Sequence, residues 1–460
     1  MIGEEITNIV EKQKAFFRTA TTLSIKYRME ALKKLHACIT RKEKEICDAL
    51  FEDLGKSSYE SYMCEVGLVL SEISWMIQNT PRLARRKKVA TPITQFHSQS
   101  FTLKEPRGTV LIMSPWNYPF LLTFAPLSNA IATGNTAVVK PSAYSMATSR
   151  IIKEIIDEVF PQEYVVAITG GREENASLLN NKFDFIFFTG STSVGREVLK
   201  KAAQNLTPVV LELGGKSPCI VDSSADIKLA ARRIAFGKFL NCGQTCVAPD
   251  YILCERSVKE RFVEELKKEI KIQYGECPLE NENYGKIISL KHFERLAALI
   301  DDSKVVIGAE SSAAKCKIAP TVMDNVTLDD DVMKEEIFGP ILPILVYDDF
   351  DLVISDLKLK DKPLAAYIFS NTKKNIDRLL KEVSYGGGCV NDVVIHLATS
   401  EMGFGGVGAS GMGAYHGERG FDAFSHTKSI IDKKTWIDLP IRYQPYKSKL
   451  FEKLLHILLR

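Results

Sequence analysis

Hydrophobic positions along the first 80 residues recur with the period of an α-helix. Ile25, Met29, Leu32, Leu35 and Ile39 are separated by polar residues, many of them Lys or Arg. A spacing of three to four residues places apolar side chains on one face of a helix. We therefore expect residues 1 to about 80 to form helices.

The pattern changes between residues 92 and 103, where β-branched and aromatic residues such as Ile93, Phe96 and Phe101 become frequent. Such a composition is typical of extended chain. The basic run at 85–88 just before it has no aromatic residues among its charges. It is more typical of a solvated face than of a nucleic-acid patch.

From residue 109 onwards, short apolar runs alternate with amphipathic segments such as 149–159, 194–203 and 258–271. Alternation of this kind predicts parallel sheets flanked by helices, and hence an α/β protein. A first series of predicted strands covers 109–113, 137–140, 164–168, 184–188 and 209–213. A second series, which predicts a second α/β domain, covers 219–221, 251–254, 341–346, 366–369 and 388–390.

Composition narrows the class of protein. A chain of 460 residues with a net charge of +3 is long enough for two or three domains, and it is too weakly charged to indicate a nucleic-acid partner. The ten cysteines include no Cys-x-x-Cys pair and are not clustered with the seven histidines. We expect reduced thiols, no metal site, no secretory signal and no membrane-spanning run.

The last residues, 446–460, predict an amphipathic helix. Leu450, Leu454, Ile457 and Leu458 recur at helical spacing among basic residues. The segment is too short to cross a bilayer. We expect it to rest on its own chain, on a second subunit, or on a membrane surface.

The strongest candidate for chemistry is the segment 241–249, NCGQTCVAP. Gly243 and Pro249 predict a shaped loop, on which the thiol of Cys246 is accessible to a substrate. An accessible thiolate is a nucleophile, although most cysteines are structural and this stretch alone favours that interpretation. Glu212 adds a carboxylate inside a strand-like apolar run, directly before a Gly-Gly turn.

The sequences LELGGK at 211–216 and GQTC at 243–246 resemble the two signatures of the NAD(P)-dependent aldehyde dehydrogenases. The C-terminal third is most similar to the class 3 branch, which includes the fatty aldehyde dehydrogenases. The resemblance extends to about Tyr446 and implies a Rossmann-like cofactor domain, a second α/β catalytic domain and a bridging β segment. It divides the chain into a cofactor domain (1–82 and 104–210, with a return segment near 395–425), a catalytic domain (211–394), a bridging segment (83–103 and 426–445) and a C-terminal helix (446–460).

The segment 188–195, FTGSTSVG, follows a predicted strand and opens a helix, as a nucleotide-binding loop does. Thr192 replaces the second glycine of the usual G-x-G-x-x-G pattern, so the segment is also consistent with a plain turn between strand and helix. By the resemblance, Gly190, Ser191 and Gly195 meet the pyrophosphate of NAD or NADP.

Three further positions have simple structural interpretations when taken alone. Lys140 is consistent with a lysine that caps a strand in solvent. Glu336 and Phe338 lie in a segment with an acidic pair, which is common on surfaces. The resemblance gives them cofactor roles. It implies that Lys140 holds the adenosine ribose, that Glu336 binds the nicotinamide ribose and that Phe338 packs near the nicotinamide ring.

Asn117 lies in SPWNYP at 114–119, where two prolines predict a turn at the end of a strand. By the resemblance, its amide and the backbone N–H of Cys246 stabilise the oxyanion of a tetrahedral adduct. The implied reaction oxidises an aldehyde to a carboxylic acid through a thiohemiacetal and a thioester on Cys246, with Glu212 as the base for water. An apolar setting should raise the pKa of Glu212 toward the working pH.

The substrate, partners and location follow as expectations. Apolar residues at 118, 120–122 and 124 predict a funnel for medium or long aliphatic or aromatic aldehydes. We expect a cytoplasmic homodimer that makes peripheral membrane contact through its C-terminal helix. Two alternatives are a CoA-acylating dehydrogenase, against which Glu212 argues, and a non-catalytic protein that retains the fold, against which Glu212 and Cys246 together argue.

Overall fold

The computed structural model describes residues 3–459. Met1, Ile2 and Arg460, which the predicted cofactor domain and C-terminal helix include, lie outside the described residues. The α-helices are α1 (Gly3–Arg18), α2 (Ile25–Arg41), α3 (Glu43–Leu54), α4 (Ser58–Ser61), α5 (Gly67–Leu83), α6 (Leu121–Thr133), α7 (Met146–Val159), α8 (Arg172–Asn180), α9 (Thr192–Ala203), α10 (Ile227–Phe239), α11 (Lys259–Tyr274), α12 (Leu290–Ala297), α13 (Asp331–Lys334), α14 (Phe350–Leu359), α15 (Lys373–Glu382), α16 (Gly417–Ala423) and α17 (Lys449–Leu458).

The strands number eighteen among the described residues. They are β1 (Lys87–Val89), β2 (Ser98–Pro106), β3 (Thr109–Met113), β4 (Thr136–Lys140), β5 (Val165–Ala167), β6 (Phe185–Thr189), β7 (Val209–Glu212), β8 (Pro218–Val221), β9 (Tyr251–Glu255), β10 (Val305–Ile307), β11 (Ser311–Ser312), β12 (Lys317–Ile318), β13 (Thr321–Met323), β14 (Ile341–Tyr347), β15 (Ala365–Phe369), β16 (Gly387–Val390), β17 (Gly411–Met412) and β18 (Ser425–Lys433).

The first sheet contains the whole first series of predicted strands. Its order is β17-β7-β6-β3-β4-β5, and all neighbours are parallel except β17 and β7. Alternate residues of β3 enter two different cores: Val110 and Ile112 pack in one, Leu111 and Met113 in the other. Because helices cover both faces, the strands are continuous apolar runs, which is why the sequence indicates them clearly.

The second sheet has the order β10-β13-β14-β9-β8-β15-β16 and is parallel except for β10. The second predicted series corresponds to β8, β9, β14, β15 and β16. Strands β10 and β13, each of three residues, extend one edge and were not predicted.

A three-stranded antiparallel sheet of β1, β2 and β18 joins the region around residue 90 to the region around residue 430. The prediction of extended chain is confirmed from Ser98 onwards, where β2 begins. It is wrong for Ile93–Gln95, which form a 3₁₀ turn after Pro92, with Gln95 N–H donating to Pro92 O at 2.9 Å.

The predicted C-terminal helix is confirmed as α17, which Ser448 caps by accepting from Phe451 N–H at 3.3 Å. All of α17 is described, and none of its residues is buried; Leu450 is 72% and Ile457 73% exposed. Phe451 and Leu455 line a cavity together with residues of the segment 440–446 of the same chain, but most of the apolar face is uncovered, so what that face rests on stays a prediction. No helix within residues 3–459 is both long enough and apolar enough to span a membrane.

Candidate active site

Cys246 lies on the predicted loop, between the end of α10 and the start of β9. The loop opens with three consecutive residues of positive φ: Asn241 (51°), Cys242 (53°) and Gly243 (71°). Left-handed backbone is costly for a non-glycine residue and persists only where its surroundings impose it. The turn leaves Cys246 partly exposed, whereas Cys242 is fully buried.

Hydrogen bonds to Gln244 hold the loop in place. The Gln244 amide donates to Lys286 O at 3.0 Å and accepts from Ile288 N–H at 3.0 Å. Asn241 Nδ2 donates to Gln244 O at 3.2 Å. Gln244, two residues before Cys246, is therefore held through its side chain by the 286–288 segment and through its backbone carbonyl by Asn241.

Asn117 lies just beyond β3, as predicted, and is nearly fully buried. Its Nδ2 donates to Gln244 O at 3.1 Å, which ties the side-chain amide to the loop of Cys246. An amide nitrogen has two hydrogens. Asn117 also lines the cavity that contains Cys246, so a second amide hydrogen directed into that cavity stays a prediction.

Glu212 ends β7 and is only 2% exposed. Neither carboxylate oxygen has a hydrogen-bond partner among the described residues. Burial raises the pKa of Glu212 well above its ordinary value of 4.5, which confirms the direction expected from its apolar sequence context.

Two cavities meet at Cys246. The first, here called the polar cavity, is about 900 Å³. It is lined by most of the predicted site residues, namely Asn117, Gly190, Ser191, Glu212, Cys246, Glu336 and Phe338. The second, here called the apolar cavity, is about 830 Å³ and also reaches Cys246. Its walls include Met63, Leu68, Tyr118, Leu121, Leu122, Phe236, Leu240, Val394, Ile395 and Phe404.

The predicted phosphate loop joins β6 to the first turn of α9, where Ser191 caps the helix by accepting from Val194 N–H at 3.5 Å. A Cβ on Gly195 would lie 2.6 Å from the end of the Leu213 side chain, so α9 packs closely against the residue that follows β7. Gly195 itself does not line the polar cavity. An exposed helix N-terminus of this kind suits the phosphates of a nucleotide.

Glu336 and Phe338 also line the polar cavity. A Cβ on Gly214 would lie 2.1 Å from Glu336 Oε2, so the carboxylate occupies space that only glycine leaves open. Burial, together with Asp250, raises the pKa of Glu336 to about 8. Phe338 adopts a φ of 51° and packs edge-on to the Trp116 ring, with the ring centroids 5.3 Å apart.

Lys140 lies at the end of β4 and outside the lining of the polar cavity. Its Nζ donates to Pro141 O and Gly170 O, both at 2.8 Å, and burial lowers its pKa to about 8. A neighbouring cavity of about 780 Å³ is lined by Ala143, Arg150 and Gly170, among others. A strand end beside such a cavity suits the adenosine half of a dinucleotide.

Comparison with known proteins identifies the family. The family model described as "Aldehyde dehydrogenase family" matches residues 3–430. The chain belongs to the aldehyde dehydrogenase family. It is 46% identical to 4,4'-diaponeurosporen-aldehyde dehydrogenase of Staphylococcus aureus, over 96% of this chain and 98% of that protein. It is 43% identical to aldehyde dehydrogenase family 3 member A2 of Rattus norvegicus, over 92% of this chain and 88% of that protein.

Two further comparisons agree with this assignment. The chain is 42% identical to the dimeric NADP-preferring aldehyde dehydrogenase of Canis lupus familiaris, over 97% of this chain and 99% of that protein. A solved structure described as the substrate-bound state of Staphylococcus aureus AldH has a TM-score of 0.97 at 45% identity and covers 99% of both chains. The protein is an aldehyde dehydrogenase that oxidises aldehydes to acids with NAD or NADP.

Sequence reasoning missed several residues around the aldehyde dehydrogenase site. His292 and Arg295 line the polar cavity from α12. Lys56 and Glu65 are fully buried beside Asn117. His292, Arg295 and Glu65 stand in stretches with helical spacing and Lys56 in a Gly-Ser loop after α3, and in both settings the sequence pattern predicts a solvent-facing side chain. Only the fold places them inside.

Proposed function

We propose that this aldehyde dehydrogenase acts through Cys246 as nucleophile and Glu212 as base, on medium or long aliphatic or aromatic aldehydes. The observation that carries the proposal is the position of Cys246, which lines the polar and the apolar cavity at once. A residue at that junction meets a substrate from one side and a cofactor from the other.

In the first step, the Cys246 thiol passes its proton to solvent water in the polar cavity, its sulfur bonds to the aldehyde carbon and the carbonyl electrons move to oxygen. The N–H groups of Asn117 and Cys246 are proposed to stabilise that oxyanion, each contributing about 3–4 kcal/mol. Burial, followed by the nearby carboxylates Glu336 and Glu212, raises the pKa of the Cys246 thiol, while the N–H groups of Cys246 and Val247 oppose the rise.

NAD or NADP, when bound, supplies the hydride acceptor. We propose that Gly190, Ser191 and the first turn of α9, which Gly195 lets approach β7, hold its phosphates. Glu336 and Phe338 flank its nicotinamide end, and Lys140 holds its adenosine ribose. Two observations support this assignment: Glu336 packs closely against Gly214, and the start of α9 is exposed.

In the last step, water attacks the thioester on Cys246. Glu212 takes a proton from the water, the carbon–sulfur bond breaks, and the thiolate and the carboxylic acid separate. A carboxyl group with no hydrogen-bond partner in a dry setting is suited to this role, because its raised pKa makes it a stronger base once ionised.

The apolar cavity supports the choice of substrate. Tyr118, Leu121 and Leu122 line it, as expected for the funnel, whereas Phe120 and Phe124 are fully buried in the core and do not. The Staphylococcus aureus relative is named for 4,4'-diaponeurosporen-aldehyde, which supports an apolar aldehyde here.

The assembly and location belong to the same proposal. We propose a cytoplasmic homodimer with the domain division predicted from the sequence, and peripheral membrane contact through α17. The dog relative is named as dimeric, and the apolar residues of α17 are exposed in a single chain. Light scattering tests the dimer, and co-sedimentation with liposomes tests membrane contact.

An absorbance assay for NAD(P)H tests the proposed reaction. The purified protein should form NAD(P)H with apolar aldehydes in the absence of CoA and release the free acid. A requirement for CoA, with an acyl-CoA as product, would support the CoA-acylating alternative instead.

A further inference from the structure

A buried ion pair lies next to Asn117, and neither of its residues lines the polar or the apolar cavity. Lys56 and Glu65 are both 0% exposed, with Nζ and Oε1 2.5 Å apart. Lys56 follows the end of α3, and Glu65 lies on a π-helical turn, Tyr62–Val66, inserted between α4 and α5. Single π-helical turns are frequent at functional sites.

The pair holds both ends of the turn that carries Asn117. Lys56 Nζ donates to Asn117 O at 2.9 Å. Glu65 Oε2 accepts from the N–H groups of Phe120 and Leu121, at 2.8 and 3.2 Å, and so caps the start of α6. Burial raises the pKa of the Glu65 carboxyl, and the Lys56 ammonium and the two backbone N–H groups oppose that rise.

The same segment also reaches the loop of Cys246. Glu60 Oε1 accepts from Asn241 N–H at 2.9 Å. Asn241 Nδ2 then donates to Asn117 O at 2.8 Å and to Gln244 O at 3.2 Å. The carbonyl of Asn117 thus receives two donors, one from the ion pair and one from the loop of the nucleophile.

We infer that Lys56 and Glu65 are positioning residues for the oxyanion site, which fix the Asn117 turn against the loop of Cys246. The inference rests on the role proposed for Asn117. Stability alone does not account for the pair, because a buried ion pair can commonly be replaced by apolar residues of similar volume without loss of stability. Displacement of an oxyanion donor, in contrast, directly weakens the transition state.

The test is the double variant Lys56→Met/Glu65→Leu, which removes both charges and leaves neither unpaired. We expect a lower melting temperature, because the N–H groups of Phe120 and Leu121 lose their acceptor, an NAD affinity like that of the wild type, and a burst of NAD(P)H slowed at least about tenfold. The matched control is Lys259→Met/Asp324→Leu, which removes the 2.7 Å pair between Lys259 and Asp324 in the region of the second sheet and should keep the wild-type burst.

A double-mutant cycle with Asn117→Ala separates positioning from a general structural effect. If the pair acts through Asn117, removing it in the Asn117→Ala background should slow the burst little further. Losses that multiply, or a double variant with the wild-type burst rate, would overturn the inference. A wild-type burst in Asn117→Ala alone would instead show that the role proposed for Asn117 is wrong.

A second variant keeps the inference testable if the double variant does not fold. Asn241→Asp removes both donors to the Asn117 and Gln244 carbonyls, and aspartate tolerates the left-handed backbone at this position. We expect the same slowing of the burst with unchanged NAD affinity. A wild-type burst rate in Asn241→Asp would then overturn the inference.

Discussion

The substitution Glu212→Gln separates the two halves of the proposed reaction. Glutamine has nearly the same shape as a protonated glutamate, and the described residues provide no hydrogen-bond partner to either Glu212 oxygen. The substitution should therefore leave the packing intact and remove only the base. General-base catalysis contributes about 10²–10⁴-fold, or about 3–5 kcal/mol of the barrier. The loss should fall on hydrolysis of the thioester and leave its formation intact.

Stopped-flow measurement of NAD(P)H is the appropriate assay. The variant should release about one NAD(P)H per subunit at the wild-type rate, and steady turnover should then be about 10²–10⁴-fold slower. Because burial raises the pKa of Glu212, wild-type turnover limited by hydrolysis should increase as the pH rises through that pKa. The variant should lack this increase.

Thermal stability provides the control. A carboxyl whose pKa is raised by folding stabilises the protein below its unfolded pKa, and that contribution is lost as the pH rises through the folded pKa. Glutamine does not ionise, so Glu212→Gln should be at least as stable as the wild type at alkaline pH. Unimpaired steady turnover would refute the reasoning, and loss of the burst would place Glu212 before acylation.

The remaining predictions concern the cofactor and the tail. NADP should be accepted, because Ala143 offers no carboxylate to repel a 2′-phosphate beside the cavity that Arg150 also lines. Ala143→Glu should lower kcat/KM for NADP at least about tenfold and spare NAD, whereas a wild-type preference for NAD of roughly several hundred-fold, about 3–4 kcal/mol, would contradict this. Deletion of 447–460 should change the preference between short and long aldehydes and abolish liposome co-sedimentation. If neither changes, α17 does not shape the entrance or bind lipid.

The central strands of both sheets could be predicted because burial on two faces requires continuous apolar runs. Thr109–Met113 is predicted to the residue for this reason. The helix α17 could be predicted from the helical spacing of its apolar residues. The residues or surface that cover its apolar face could not be predicted, because amphipathic spacing does not specify them. The 3₁₀ turn at Ile93–Gln95 was not predicted because its β-branched residues favour a strand. The preceding Pro92 instead favours a turn there.

The site could be predicted in part. Cys246 and Glu212 stand in short motifs whose glycines and proline indicate special backbone, so their place beside one cavity could be predicted, while their catalytic roles stay a proposal. Lys56 could not be found, since a lysine in a Gly-Ser loop is typical of a surface. Glu65 could not be found either, since a charged residue at helical spacing is typical of a surface and the π-helical turn that contains it has no recognisable signal in the sequence.

The most direct test of the account is to locate the acyl group on the stalled enzyme. Glu212→Gln should be mixed with an apolar aldehyde and NAD or NADP, quenched in acid and mapped by mass spectrometry. The account predicts one acyl group per chain, on Cys246, and no adduct when Cys246→Ala is added. An acyl group on Cys242, or turnover that survives Cys246→Ala, would contradict it.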